Sequence, residues 1–85
     1  MEKFILICVV ENDDIFIKSV HDNLEDAQTA MKDLFYEYHF INLGISDEEV
    51  HDATESEDCG IEDYYAWSAI DEHEERRWKI EKITV

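Results

Sequence analysis

An 85-residue chain with seven Lys and Arg against twenty-three Asp and Glu, a formal charge of −16 and a pI near 4.2 has room for one domain, residues 1–85, and one core. Its 45% apolar content suffices for that core, while a polyanion of this density repels phosphates, which argues against direct nucleic-acid binding. No apolar run is long enough to span a bilayer and no basic-then-apolar leader is present, so the reading is an intracellular protein with no membrane partner.

Phe4 to Val10 is apolar without interruption and rich in Ile and Val, which predicts a central strand buried on both faces. Glu11-Asn12-Asp13-Asp14 supplies turn formers, and Ile15 to Val20 alternates only weakly, predicting the second arm of a hairpin nearer an edge. A helix starts after His21: Asp22 or Asn23 can accept from free amides of its first turn, and Asp22 with Glu25 has capping-box spacing. Leu24, Ala27, Met31, Leu34, Phe35 and Tyr38 then recur at the steps of one helix face, until Asn42 and Gly44 supply a stop. Glu25, Asp26, Asp33 and Glu37 fall on the far side together with Tyr36 and Phe40, two aromatics in need of cover or a partner.

Ser46-Asp47-Glu48-Glu49 is a capping box, with Ile45 and Val50 placed as its hydrophobic staple, which predicts a short second helix over 47–53. Thr54 to Gly60 is acidic and aperiodic, hence an exposed loop. From Ile61 the period becomes two, with Tyr65, Trp67 and Ala69 on one face and Tyr64, Ala66, Ser68 and Ile70 on the other. A charged turn at Asp71 to Glu75 leads to a last strand, Arg76 to Val85, in which Trp78 and Ile80 are out of phase with Ile83 and Val85. That mismatch predicts a bulge or a change of burial near Glu81 and Lys82. The order β-β-α-α-β-β, about four antiparallel strands with one main helix packed on one face, is α+β; the strand order within the sheet stays open. Tyr65, Trp67 and Trp78 read as core residues.

Chemistry leaves little trace. Neither a nucleophile elbow, a glycine-rich phosphate loop nor an H-E-x-x-H motif occurs, and Gly44 and Gly60 are the only glycines. His51 with Glu55 beside Asp52, and His73 between Glu72 and Glu74, allow a carboxylate–histidine metal site to be imagined, but the spacing matches no established motif. Cys8 sits mid-strand as an inert thiol and Cys59 in the acidic loop, so neither a disulfide nor a zinc pair is expected. His21 and His39 read as surface or helix-end residues. No enzyme, cofactor or metal is inferred.

The charge distribution is the dominant signal. Between Lys32 and Arg76 lie fifteen acids and no Lys or Arg in forty-three residues, whereas four of the seven cations occupy the last strand. Acids three and four apart on a helix stand about 5–6 Å from each other, so an acidic face can imitate a nucleic-acid backbone and be steered to a basic groove. Asp47, Glu48, Glu49, Asp52, Glu55, Glu57, Asp58, Glu62 and Asp63 are the candidate contacts, with Tyr36, Phe40 and Tyr64 as aromatic anchors. The simpler reading is a solvated face that keeps a small protein soluble.

In its size, in the acidic stretch from Asp47-Glu48-Glu49 through Glu62-Asp63, and in the aromatic–acid mixture Glu62-Asp63-Tyr64-Tyr65-Ala66-Trp67, the chain resembles small acidic phage and mobile-element inhibitors, including anti-CRISPR proteins and other DNA mimics. Those proteins share no common fold, so the resemblance transfers no residue roles. It implies a stoichiometric inhibitor acting in the cytoplasm of an infected bacterial host. Such an inhibitor binds the basic nucleic-acid groove of a CRISPR nuclease or related defence enzyme and competes with guide, target or protospacer-adjacent motif. A second reading, from a different class, is an adaptor or antitoxin-like module that binds a protein partner through an exposed sheet edge and its aromatics. A third is a minor enzyme or metal-binding domain.

Overall fold

The computed structural model describes residues 1–11 and 14–85; Asn12 and Asp13 of the expected hairpin turn lie outside the described residues. Five strands, β1 (Glu2–Val10), β2 (Asp14–His21), β3 (Cys59–Ile61), β4 (Tyr65–Ser68) and β5 (Arg76–Thr84), form one antiparallel sheet in the order β2-β1-β5-β4-β3. Helices α1 (Leu24–Glu37) and α2 (Asp47–Glu55) complete an α+β fold. The fifth strand is a difference from the expected four. Cys59 and Gly60 are buried and pair with Ser68 and Trp67, so the predicted loop ends in a short edge strand. Polar composition hid it, because three residues are too few to show a period.

β1 is an interior strand, second in the sheet with β5 at its centre, and β2 is an edge, as its weak alternation predicts. The expected burial on both faces is not met: Phe4, Leu6 and Cys8 point into the core, but Ile5, Ile7 and Val9 on the other face are only half-buried, because both helices pack on one side of the sheet. Pairing of β1 with β5 runs from Glu2↔Thr84 to Val10↔Arg76 without interruption, and Met1 and Val85 exchange backbone hydrogen bonds. The phase mismatch in β5 is therefore a change of burial: beyond Ile80 every residue is exposed. The bulge lies in β2, where Leu6 pairs with Ser19 and Ile7 with Ile17, leaving Lys18 as the extra residue.

Asn23 caps α1 by accepting from the Asp26 amide at 2.8 Å, so the cap sits one residue later than the Asp22–Glu25 box. Asp22 instead pairs with Lys3, whose ammonium holds the Asp22 carboxyl below the usual carboxylate range. Ala27, Met31 and Phe35 pack on the sheet, as their spacing predicts. α1 then passes into a π-helical segment, Tyr38–Asn42, in which the Leu43 amide donates to the Tyr38 carbonyl at 2.9 Å, before Gly44 turns the chain at φ +65. The wider turn lets two consecutive side chains, Tyr38 and His39, face the core.

The buried cluster joins Phe4, Leu6 and Cys8 to Trp78, Ile80 and Ala66 from the sheet, and to Met31, Phe35, Val50 and Ala53 from the two helices. Both helices thus cover the same face. Of the three aromatics read as core, only Trp78 belongs there, edge-on to Phe35 and Tyr38. Tyr65 and Trp67 point to the opposite face, where they stack with ring centroids 5.9 Å apart, and Trp67 lies against Gly60 while its indole N–H donates to the Glu57 carbonyl at 3.3 Å.

Candidate functional site

The nine candidate acids gather along the β3 edge of the sheet. α2 supplies Asp47, Glu48, Glu49, Asp52 and Glu55, the link into β3 supplies Glu57 and Asp58, and the turn after β3 supplies Glu62 and Asp63; all are exposed. α2 forms where its capping box predicts, with the Glu49 amide donating to the Ser46 hydroxyl at 3.2 Å, and it runs two residues past the predicted end. Val50 and Ala53 turn inward. With those two fixing the buried side, Glu48, Asp52 and Glu55 at i, i+4 and i+7 form the outward stripe, rising about 6 and 4.5 Å along the axis. Glu57 adopts φ 62, a left-handed turn that lets the chain reverse from α2 into β3. The Asp63 carbonyl accepts from the Gln28 side chain at 3.0 Å, which ties the far turn to α1.

Among the described residues, none of these acids forms an ion pair with Lys or Arg. The one neighbour is His51, whose Nε2 lies 3.1 Å from Glu55 on the exposed side of α2. The pairs that do form, Lys3–Asp22, Arg76–Glu74, Lys79–Glu81 and Lys82–Glu2, use acids outside the stretch. The fold also sorts the charge. Six of the seven cations and only three of the acids lie on the strands, a net +3, leaving one Lys and twenty acids, net −19, on the rest of the chain.

The aromatic candidates divide. Tyr36 and Phe40 stack in parallel on the exposed back of the helix, 5.6 Å apart with planes 6° apart, and both remain more than a third exposed. Tyr64 is exposed in the turn beside Asp63 and, among the described residues, its ring stacks on neither of them. The structure therefore presents an acidic edge with one aromatic at its end and a separate two-ring platform that spans the end of α1 and the π-helical segment.

Three groups differ from their sequence reading. His39 is fully buried, its Nδ1 2.6 Å from the Phe35 carbonyl and its Nε2 2.9 Å from the Ser68 hydroxyl, and burial pushes its pKa below the ordinary histidine value. Cys59 is buried beside the Thr54 hydroxyl rather than in an exposed loop. Cys8 is the core thiol its strand position predicts, and burial raises its pKa, which suppresses the reactive thiolate. The third is the open face of the sheet, which carries a continuous aliphatic surface that reading residues singly does not find. Its sequence signal is Ile15-Phe16-Ile17, apolar in both phases of a strand that this chain has too few helices to cover on both sides.

Among the described residues, no group of three or more His, Cys, Asp or Glu side chains is placed to hold a metal ion, and no helix is long and apolar enough to cross a membrane. No family model, curated protein or solved structure matches this chain.

Proposed function

We propose that this protein is a stoichiometric, non-enzymatic inhibitor that occupies the basic nucleic-acid-binding groove of a bacterial nuclease or defence enzyme, in the manner of an anti-CRISPR DNA mimic. The observation that carries the reading is the exposed acidic edge built from Glu48, Asp52 and Glu55 and continued by Glu57, Asp58, Glu62 and Asp63, with no Lys or Arg paired to it among the described residues. Carboxylates that only served solubility gain from neighbouring cations, because opposite charges at i, i+4 stabilise a helix and like charges destabilise it. Leaving them unpaired costs stability and preserves a field for a cationic partner. Exposed Tyr64, and the Tyr36–Phe40 platform, supply the apolar contacts that charge alone lacks.

The test is capture of a CRISPR nuclease by the immobilised protein, with a salt gradient and competing duplex DNA. Release by both is expected, as is loss of binding when Glu48, Glu49, Asp52, Glu55 and Glu57 are neutralised together. Undiminished binding by that five-fold variant refutes the mimic. The Tyr36–Phe40 stack also favours a second reading, an adaptor or antitoxin-like module whose acids serve solubility. In that case substitution of Tyr36, Phe40 and Tyr64 abolishes binding to its partner and salt has little effect.

A further inference from the structure

The face of the sheet turned away from both helices is not the polar surface expected of an antiparallel sheet covered on one side. Direct pairing places its side chains in three rows: Val20–Ile5–Glu81, Ile17–Ile7–Lys79–Tyr65 and Ile15–Val9–Arg77–Trp67. The β2 and β1 portions of all three rows are aliphatic, and Ile15, Ile17 and Val20 are 66%, 69% and 56% exposed. With strands about 4.8 Å apart, and β2, β1 and β5 each eight or nine residues long beside the four-residue β4, the footprint of the four is on the order of 500 Å². Two such faces together reach the roughly 1,000 Å² that a specific interface needs.

We propose that this face is a homodimer interface, with two copies packed sheet on sheet as a β-sandwich. The two-fold axis lies in the interface and crosses the strands along the Ile17–Ile7–Lys79 row. That symmetry sets β1 and β2 of one copy over the same strands of its partner, aliphatic on aliphatic. It also lays the Ile15–Val9–Arg77 row over the partner's equivalent of the Val20–Ile5–Glu81 row, so each Arg77 meets a Glu81 across the interface. At the axis, Lys79 is already neutralised by Glu81 of its own chain at 3.0 Å.

A second copy fits better than other occupants on electrostatic grounds. The sheet is the one part of this −16 molecule with a positive balance, so the acidic surfaces point outward when two sheets meet. With sheets about 10 Å apart and a helical layer about 10 Å beyond each, those surfaces stand on the order of 30 Å from one another, several Debye lengths at physiological salt. A basic partner is drawn to the β3 edge instead. Edge-to-edge pairing through β2 is opposed by the bulge and by Lys18 in the middle of that strand, devices that guard an edge, whereas the β1 and β2 positions of the three rows carry no charge.

Sedimentation equilibrium and native mass spectrometry of the full chain, without any nuclease, test the proposal. Wild type is expected at twice the 10.1 kDa chain mass, with association strengthened by added salt, the opposite of the salt response of groove binding. Ile17→Glu buries a carboxylate per copy and should weaken the dimer at least about 100-fold. Phe16→Glu, on the helix side of the same strand, should leave it intact, and circular dichroism checks that both variants stay folded. Arg77→Glu and Glu81→Arg should each fail to self-associate, and mixing the two should restore a heterodimer because both cross-interface pairs become opposite in sign. A wild-type monomer at about 100 µM in moderate salt, equal loss in Ile17→Glu and Phe16→Glu, or no rescue on mixing would overturn the proposal. The five-fold acid-neutralised variant should dimerise normally, so failure of the inhibitor reading leaves this result untouched.

Discussion

Lowering the pH should place a proton on His39 at the expense of the folded state. The Phe35 carbonyl can only accept, so Nδ1 carries the hydrogen and Nε2 presents a lone pair to the Ser68 hydroxyl, which donates. Both ring nitrogens are satisfied in the neutral form, and Phe35 and Tyr38 pack against the ring with centroids at 4.5 and 5.5 Å. Charging the ring puts an imidazolium where water does not reach, which is why its pKa is depressed in the fold. In the unfolded chain the ring takes its proton near pH 6.5. Below that pH the unfolded state holds the extra proton, so the stability tied to neutral His39 is complete above about 6.5 and drains away as pH falls toward the folded-state value. The limiting slope is about 1.4 kcal/mol per pH unit, so the loss at pH 5.5 is at most about 1.4 kcal/mol, a melting-point loss of no more than about 6–11 °C for a domain of this size.

A wild-type profile alone is insufficient, because protonating some of the twenty-three acids relieves self-repulsion in the same range and works in the opposite direction. The measurement is denaturant unfolding of wild type and His39→Gln at pH 7.5 and 5.5. The variant is less stable at both, since Ser68 loses its partner at a cost of about 1–3 kcal/mol, but the gap should narrow at the lower pH, by at most about 1.4 kcal/mol. A gap that stays constant to within about 0.3 kcal/mol would refute the buried neutral histidine.

At Gly60 a Cβ would stand 2.7 Å from Cζ2 and 3.0 Å from Cζ3 of the Trp67 ring. Gly60→Ala should therefore cost about 1–3 kcal/mol, or swing Trp67 off Tyr65 and release its hydrogen bond to Glu57, and a red shift of tryptophan emission together with the unfolding midpoint reports which occurs. Ser46→Ala removes the cap of α2 and should cost about 1 kcal/mol, with faster amide exchange confined to the first turn of that helix, Glu49 foremost because its amide loses its acceptor.

The local sequence determined a good deal of this molecule. Capping chemistry at Ser46 sets the start of α2, the 3.6 spacing of Ala27, Met31 and Phe35 sets the buried face of α1, and the uninterrupted run from Phe4 to Val10 keeps β1 off the sheet edge, because each is a short-range requirement on backbone amides or on apolar area. The acidic middle was equally legible, since charge is additive along a chain. What the tertiary structure decided depends on which residues meet at long range. It alone assembled α2, the link into β3 and the turn after it into one acidic edge, and it alone turned Tyr65 and Trp67 outward while burying Trp78. His39 became a core residue because a π turn brought it under Ser68, twenty-nine positions away. The aliphatic face came into being only when both helices chose the same side of the sheet. Strand alternation specifies two faces but cannot say which of them a limited supply of helix will cover.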